Sequence, residues 1–267
     1  DFTLSERQTV TAAFLHNGTR DHDRTTLRYD YARPGGAPDS TLRRRGESRE
    51  RRSYNQLELN YTRLSATPGG KLTVDVQYDF WRSAKTWQLD TRQLYPQELA
   101  RPGIRTSSVG GSNDLLAQTD LLQPLTARLT LETGLKTEFR QVSSDFRAEA
   151  RQADGWTVFQ GIANRLQYRE LIGAAYAQLA RKAPTFSYLL GVRSELTSID
   201  ISDREGRYQR RKQYLNLFPT VNLSYRLSEA LSSQLSYSRR LNRPALWMLY
   251  PFNELTDLNA QYVGNPD

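Results

Sequence analysis

Side chains able to do chemistry are few and loosely grouped in this chain of 267 residues. The two histidines, His16 and His22, share a short polar stretch with Asp21 and Asp23. Their spacing fits no helical or finger-type zinc site, so a solvated turn is the expectation there. Cysteine is absent, which removes thiolate metal sites. No nucleophile elbow, phosphate-binding loop or dinucleotide fingerprint occurs, so the chain is expected to be no enzyme and to need no cofactor and no metal. Arginine is more concentrated. Arg43, Arg44, Arg45, Arg49, Arg51 and Arg52 lie close together in a chain of net charge +8. A nucleic-acid site would interleave such a cluster with stacking aromatics, but Gly46, Glu47 and Glu50 interrupt it instead. No nucleic-acid partner is expected. What remains is a solvated loop, or a loop gripping lipid phosphates or an anionic ligand. Trp81, Trp87, Trp156 and Trp247 lie in or beside polar stretches, where flat rings either stack on a ligand or pack loops together.

The elements that would position these groups repeat one pattern. Leu72, Val74, Val76, Tyr78 and Phe80 alternate with Lys71, Thr73, Asp75, Gln77 and Asp79, which on an extended strand makes one apolar and one charged face. Leu57, Leu59 and Tyr61 precede them in the same rhythm, across Pro68-Gly69-Gly70, residues suited to a tight turn. Further pairs follow around Gln123-Pro124, Lys182-Ala183-Pro184 and Ser228-Glu229-Ala230. At the front, Val10 to Phe14 and Leu27 to Tyr31 would pair around a connection from His16 to Arg24. The expected fold is all-β, an antiparallel up-and-down meander of about ten strands.

Between the hairpins run long polar stretches, at 32–52, 83–113, 143–163 and 201–212. Soluble domains rarely use a long loop at every second connection. Transmembrane barrels do, with short periplasmic turns and long extracellular loops. Phe186, Tyr188 and Tyr225 fall near short turns, and Tyr78, Phe80 and Phe139 near long stretches, as two interfacial girdles require. The competing soluble reading is a β-sandwich or lipocalin-like barrel that buries its apolar face as a core. A mean hydropathy of -0.70 fits a barrel, whose lipid surface is hidden in alternation. The opening Asp1-Phe2-Thr3-Leu4-Ser5 carries no signal peptide, so a processed or truncated chain is expected.

The C-terminal third adds an ordered series of motifs. Tyr237-Ser238-Arg239-Arg240-Leu241-Asn242-Arg243-Pro244 leads to Leu249-Tyr250-Pro251-Phe252, Asp257 and Gly264-Asn265-Pro266. Upstream stand Gly134-Leu135-Lys136, Tyr168-Arg169-Glu170-Leu171-Ile172, Ala174-Ala175-Tyr176, Gly191-Val192-Arg193-Ser194-Glu195 and Phe218-Pro219. In this order they resemble the barrel region of TonB-dependent outer-membrane receptors, in particular the large barrel family of Bacteroidetes-type bacteria. Tyr250 departs from the asparagine usual there. The resemblance implies active uptake of a nutrient such as an iron chelate, haem, glycan or peptide. It also implies a wider barrel around an N-terminal plug, with an inner-membrane TonB complex pulling through that plug. Residues 1–267 would then be a single partial barrel domain, plug and remaining strands absent, with open edges prone to self-association. Its partners would be outer-membrane lipid, the TonB complex and a surface lipoprotein if one is encoded nearby. The ligand-contacting candidates at the mouth and outer loops are Arg239, Arg240, Arg243, Trp247, Trp87 and Trp81, with bracing of the barrel mouth as their alternative job.

Overall fold

A computed structural model describes residues 1–158, 164–204, 206, 208–243, and the backbone of 254–257 and 260–262. Its elements are strands: β1 (Phe2–Ser5), β2 (Gln8–Ala32), β3 (Pro38–Leu64), β4 (Lys71–Tyr95), β5 (Leu99–Pro124), β6 (Leu129–Gln152), β7 (Gly155–Val158), β8 (Asn164–Arg181), β9 (Phe186–Asp203), β10 (Gln209–Arg226), β11 (Ser232–Ser238), β12 (Glu254–Asp257) and β13 (Ala260–Tyr262). Ten of them follow one another in a single antiparallel sheet, β1-β2-β3-β4-β5-β6-β8-β9-β10-β11, with β7 attached to β6. Strands β12 and β13 pair separately. The expected meander is therefore present, and its path stays open between β1 and β11 among the described residues.

The strands are far longer than the alternating stretches. At about 3.3 Å per residue, β3 with its 27 residues extends about 90 Å, some three times the hydrocarbon thickness of a bilayer. Two expectations change accordingly. The front pair around His16 to Arg24 is one continuous strand, β2, and most of the long polar connections are strand as well. Residues 83–95 prolong β4, and 99–113 bring β5 back beside it. Three short turns lie where expected, at 65–70, 182–185 and 227–231, while the one expected at Gln123-Pro124 falls just after it, at 125–128, because both residues still pair with β6. In the first, Gly69 takes φ +84°, a left-handed conformation that glycine adopts without steric cost.

Strand pairing assigns every side chain to one of two faces. Leu57, Tyr78, Leu115, Phe139 and Leu171 are successive cross-strand partners, so they share one face across five strands. This outward face is exposed: Leu135 keeps 63% and Leu215 64% of its surface. In a single layer, one face becomes shielded when the sheet curves and crowds its side chains together. The opposite face is the shielded one, with Leu166 at 1% and Thr197 at 0% exposure. On β4 the outward apolar set runs from Leu72 to Phe80, nine residues, which matches a tilted membrane-spanning strand.

The apolar belt also slides along the ladder. From Leu72, the partners run through Leu121, Thr133, Ala177 and Val192 to Pro219, yet on β10 the belt continues six residues lower, to Tyr225. At its upper edge Phe80 leads to Arg211, four residues above the topmost outward leucine of β10, Leu215. Over five pairings this is about one residue per pairing. With about 3.3 Å per residue and 4.8 Å between strands, the strands tilt by about 35° to the membrane normal, the slope a barrel wall requires.

Above the belt the apolar side changes face. On β4 it is even-numbered up to Phe80; beyond it Trp81, Trp87 and buried Leu89 are odd-numbered and point inward. The same inversion separates Phe139 from Val142 and Ala148 on β6, and Leu196 from Ile199 and Ile201 on β9. At membrane depth the outward face meets lipid, so it is apolar. Higher up water lies on both sides, and the concave face gives apolar groups the better shelter. Two small cores form there, one of Val142, Leu166, Tyr168 and Ile201, the other of Ile104 and Ala148 against Trp87 and Phe146.

Candidate functional site: the polar inner wall

Every inward position at membrane depth lies across the wall from lipid, and these positions carry a ladder of carboxylates. Asn60 Nδ2 donates to Asp75 at 2.5 Å, and Asp79 accepts from Tyr54 Oη at 3.0 Å and Gln77 Nε2 at 2.8 Å. On the next strands Asp120 accepts from Gln118 Nε2 at 2.8 Å and Tyr176 Oη at 2.5 Å, while Tyr176 also reaches Glu132 at 3.2 Å. The Tyr176 reach depends on Gly134, its cross-strand partner. A Cβ on Gly134 would sit 2.3 Å from the Tyr176 ring and 2.6 Å from Asp120 Oδ1. No basic side chain pairs with Asp75, Asp79, Asp120 or Glu132 among the described residues. Alternation placed these acids on the inner wall; Gln77 and Gln118 donate along the same strand, and Asn60, Tyr54 and Tyr176 donate from other strands.

Higher on the inner wall the pattern becomes ionic. Glu195 is 8% exposed and is held by Arg243 Nη2 at 2.6 Å and Arg193 Nη2 at 3.1 Å. Arg243 also lies 3.4 Å from the fully buried Thr197 hydroxyl, and its own Nε is buried without a hydrogen bond. Arg140 pairs with Asp114 at 3.3 Å, on the adjoining part of the same face. Nearby Glu170 and Tyr168 are both buried. These acids were missed as candidates, although Glu170 and Glu195 stand inside recognised motifs. Only the register shows that they converge on one side.

The candidate residues separate. Arg243 joins the Glu195 cluster. Arg239 and Arg240 follow β11, where the Arg239 backbone N–H donates to Pro219 O at 3.3 Å, and their side chains are exposed. Trp81 and Trp87 are strand residues of the inner face: Trp81 stands beside Gly110, and Trp87 beside Gly46 and the Ile104 core. Trp247 lies outside the described residues. Trp156 is on β7 with the Arg105 guanidinium 4.5 Å over its ring. Both histidines are on strand β2 rather than in a turn, with His16 Nδ1 2.7 Å from Asn55 Oδ1 and His22 Nε2 2.9 Å from Glu47 Oε1. Among the described residues no group of three His, Asp or Glu side chains is placed to hold a metal ion.

A tilted single wall, apolar toward lipid and polar within, is the wall of a transmembrane β-barrel. The model of the outer membrane protein beta-barrel family matches residues 63–267, and the chain belongs to that family and to the bacterial outer membrane. No curated protein matches the sequence. Among solved structures, the chain is similar to the ferric yersiniabactin uptake receptor FyuA from Yersinia pestis, with 9% identity and a TM-score of 0.33 over 83% of this chain and 42% of that one. The ferric citrate transporter FecA, in its unliganded form, is similar at 10% identity and a TM-score of 0.36, again over 83% and 42%. The chain thus spans less than half the length of either.

Proposed function

We propose that residues 1–267 form one partial barrel domain of a TonB-dependent receptor of the Bacteroidetes-type family, which takes up a nutrient such as an iron chelate, haem, glycan or peptide. The observation that carries this reading is the carboxylate ladder at membrane depth on a wall that stays open over ten consecutive strands. A barrel closed by so few strands fills its interior with its own side chains, whereas a wider one holds a plug. Asp75, Asp79, Asp120 and Glu132 carry charges that amides and phenols solvate without neutralising, so their counterpart is a basic surface inside the barrel. The plug of the receptor supplies that surface, and the TonB complex acts through it. Arg243, Arg193 and Glu195 brace the wall near the mouth, where cargo enters. Arg239, Arg240, Trp81, Trp87 and Trp247 are its further ligand-contacting candidates.

The test uses the full-length protein in its host. Uptake should vanish when the inner-membrane TonB complex is deleted, and purified receptor in planar bilayers should conduct little. Steady ion conductance with uptake independent of that complex would instead establish a self-contained pore. A soluble ligand-binding β-protein, the other alternative, is displaced by the family assignment and by the exposed apolar belt.

A further inference from the structure

Above the lipid belt, the outward face of β2, β3 and β4 carries arginines in an arrangement that works against folding. Arg20 and Arg51 are direct cross-strand partners, and Arg28, Arg43 and Arg92 form one row across three strands. Like charges directly opposite destabilise a ladder unless an anion lies between them. Arg28 and Arg92 find carboxylates, in Asp30 and Glu98. The side chains of Arg20, Arg24, Arg43, Arg45 and Arg51 make no hydrogen bond or ion pair among the described residues. The same face holds a cleft of about 900 Å³, lined by Arg24, Arg45, Arg49, Arg105 and Arg147, with Glu47, Asp90 and Glu149 as its acids. That volume suits a few sugar units or a comparable ligand.

We propose that this face binds the phosphorylated saccharide headgroup of lipopolysaccharide in the outer leaflet. The face and the height of these arginines select that occupant. These arginines stand on the face that meets lipid lower on the same strands, turned away from the lumen through which cargo passes. Their height also decides. Arg20 lies six residues above Phe14 and Arg28 fourteen, which at the strand tilt is about 16 and 38 Å above the belt. A phospholipid headgroup layer reaches only about 5 to 8 Å beyond the hydrocarbon, so a lipid that meets these guanidiniums bears its anions on a saccharide chain. Phosphates are the matching groups, since guanidinium binds them through paired hydrogen bonds. The inference needs the outer-membrane placement and is independent of the transport reading.

The test is binding of purified lipopolysaccharide to the detergent-solubilised protein at low and high salt. Arg24→Gln combined with Arg45→Gln should weaken binding at least tenfold and flatten its salt dependence. Arg20→Gln with Arg51→Gln should do the same, and because it removes like-charge repulsion, its heat-modifiable gel mobility should stay that of a folded barrel. Arg52→Gln, which removes one charge from the inward face of β3, should leave binding unchanged. Enzymatically dephosphorylated lipopolysaccharide should bind the original protein as weakly as the variants bind the intact lipid. Binding of the dephosphorylated lipid at full strength overturns the proposal, as does an equal loss with Arg52→Gln. Inorganic phosphate competing at the same concentration as the lipid would make this a soluble-anion site and overturn it too.

Discussion

At the scale of single residues, the inner wall depends on side chains that cross from strand to strand. Tyr176 lies over Gly134 and joins β8 to Asp120 of β5 and Glu132 of β6, so Gly134→Ala should expel the ring and cost about 2 kcal/mol, since two carboxylates lose a donor. Unfolding in urea from lipid vesicles measures this, and Tyr176→Phe should lose less because the ring stays. Glu195→Gln leaves Arg193 and Arg243 facing each other without the charge between them. Breaking a fully buried pair costs about 3 to 5 kcal/mol, and with both arginines about a third exposed the loss should be nearer 2. Above the membrane, Glu149 is held below the ordinary carboxylate range, first by the Arg105 hydrogen bond and then by Arg147, against the opposing effect of burial. A depressed folded value means that the contribution is complete above the ordinary value of 4.5 and is lost as pH falls through the folded one. Amide exchange at the upper end of the β5–β6 ladder, around Arg105 and Glu149, should therefore accelerate in acid, and Glu149→Gln should remove most of that pH dependence.

At the scale of elements, the alternation of Leu72 to Phe80 fixed both the strand and its lipid-facing side, and the register confirms it. An arginine on that side should be expensive: Val76→Arg should cost about 2 to 4 kcal/mol, while Gln77→Arg on the inner face should cost under 1. Equal losses at the two positions would overturn the assignment of faces. The polar stretches defeated the same reasoning for a physical reason. Beyond Phe80 the apolar residues move from even to odd positions, so a pattern with constant phase ends there although the strand does not. Outside lipid the alternation is also diluted, because both faces meet water. The hairpins above the belt are therefore additions to a wall that stands without them. Deleting residues 84–109 and closing the gap with a two-residue turn should leave the folded, heat-modifiable form intact; failure to insert into the membrane would show that the tall hairpin is needed for assembly.

At the scale of the whole molecule, the wall has two unequal borders. Strand β1 covers only the foot of β2, and β11 covers only the lower part of β10. Unpaired strand edges recruit partners. Expressed alone, residues 1–267 should associate in detergent, and sedimentation velocity should find dimers or larger species; a well-behaved monomer would require the two borders to close on each other.

The sequence by itself determined the class of structure, because a two-residue period in polarity, short turns and lipid-matched strand length are local properties. Val74 faces lipid for reasons written in its immediate neighbours. What the tertiary structure decided is convergence. Glu195 meets Arg243 across 48 positions of sequence, Tyr176 meets Asp120 across 56, and Arg28, Arg43 and Arg92 meet in a row. Such meetings depend on the register of several strands at once, and a shift of one residue would turn every side chain to the other face.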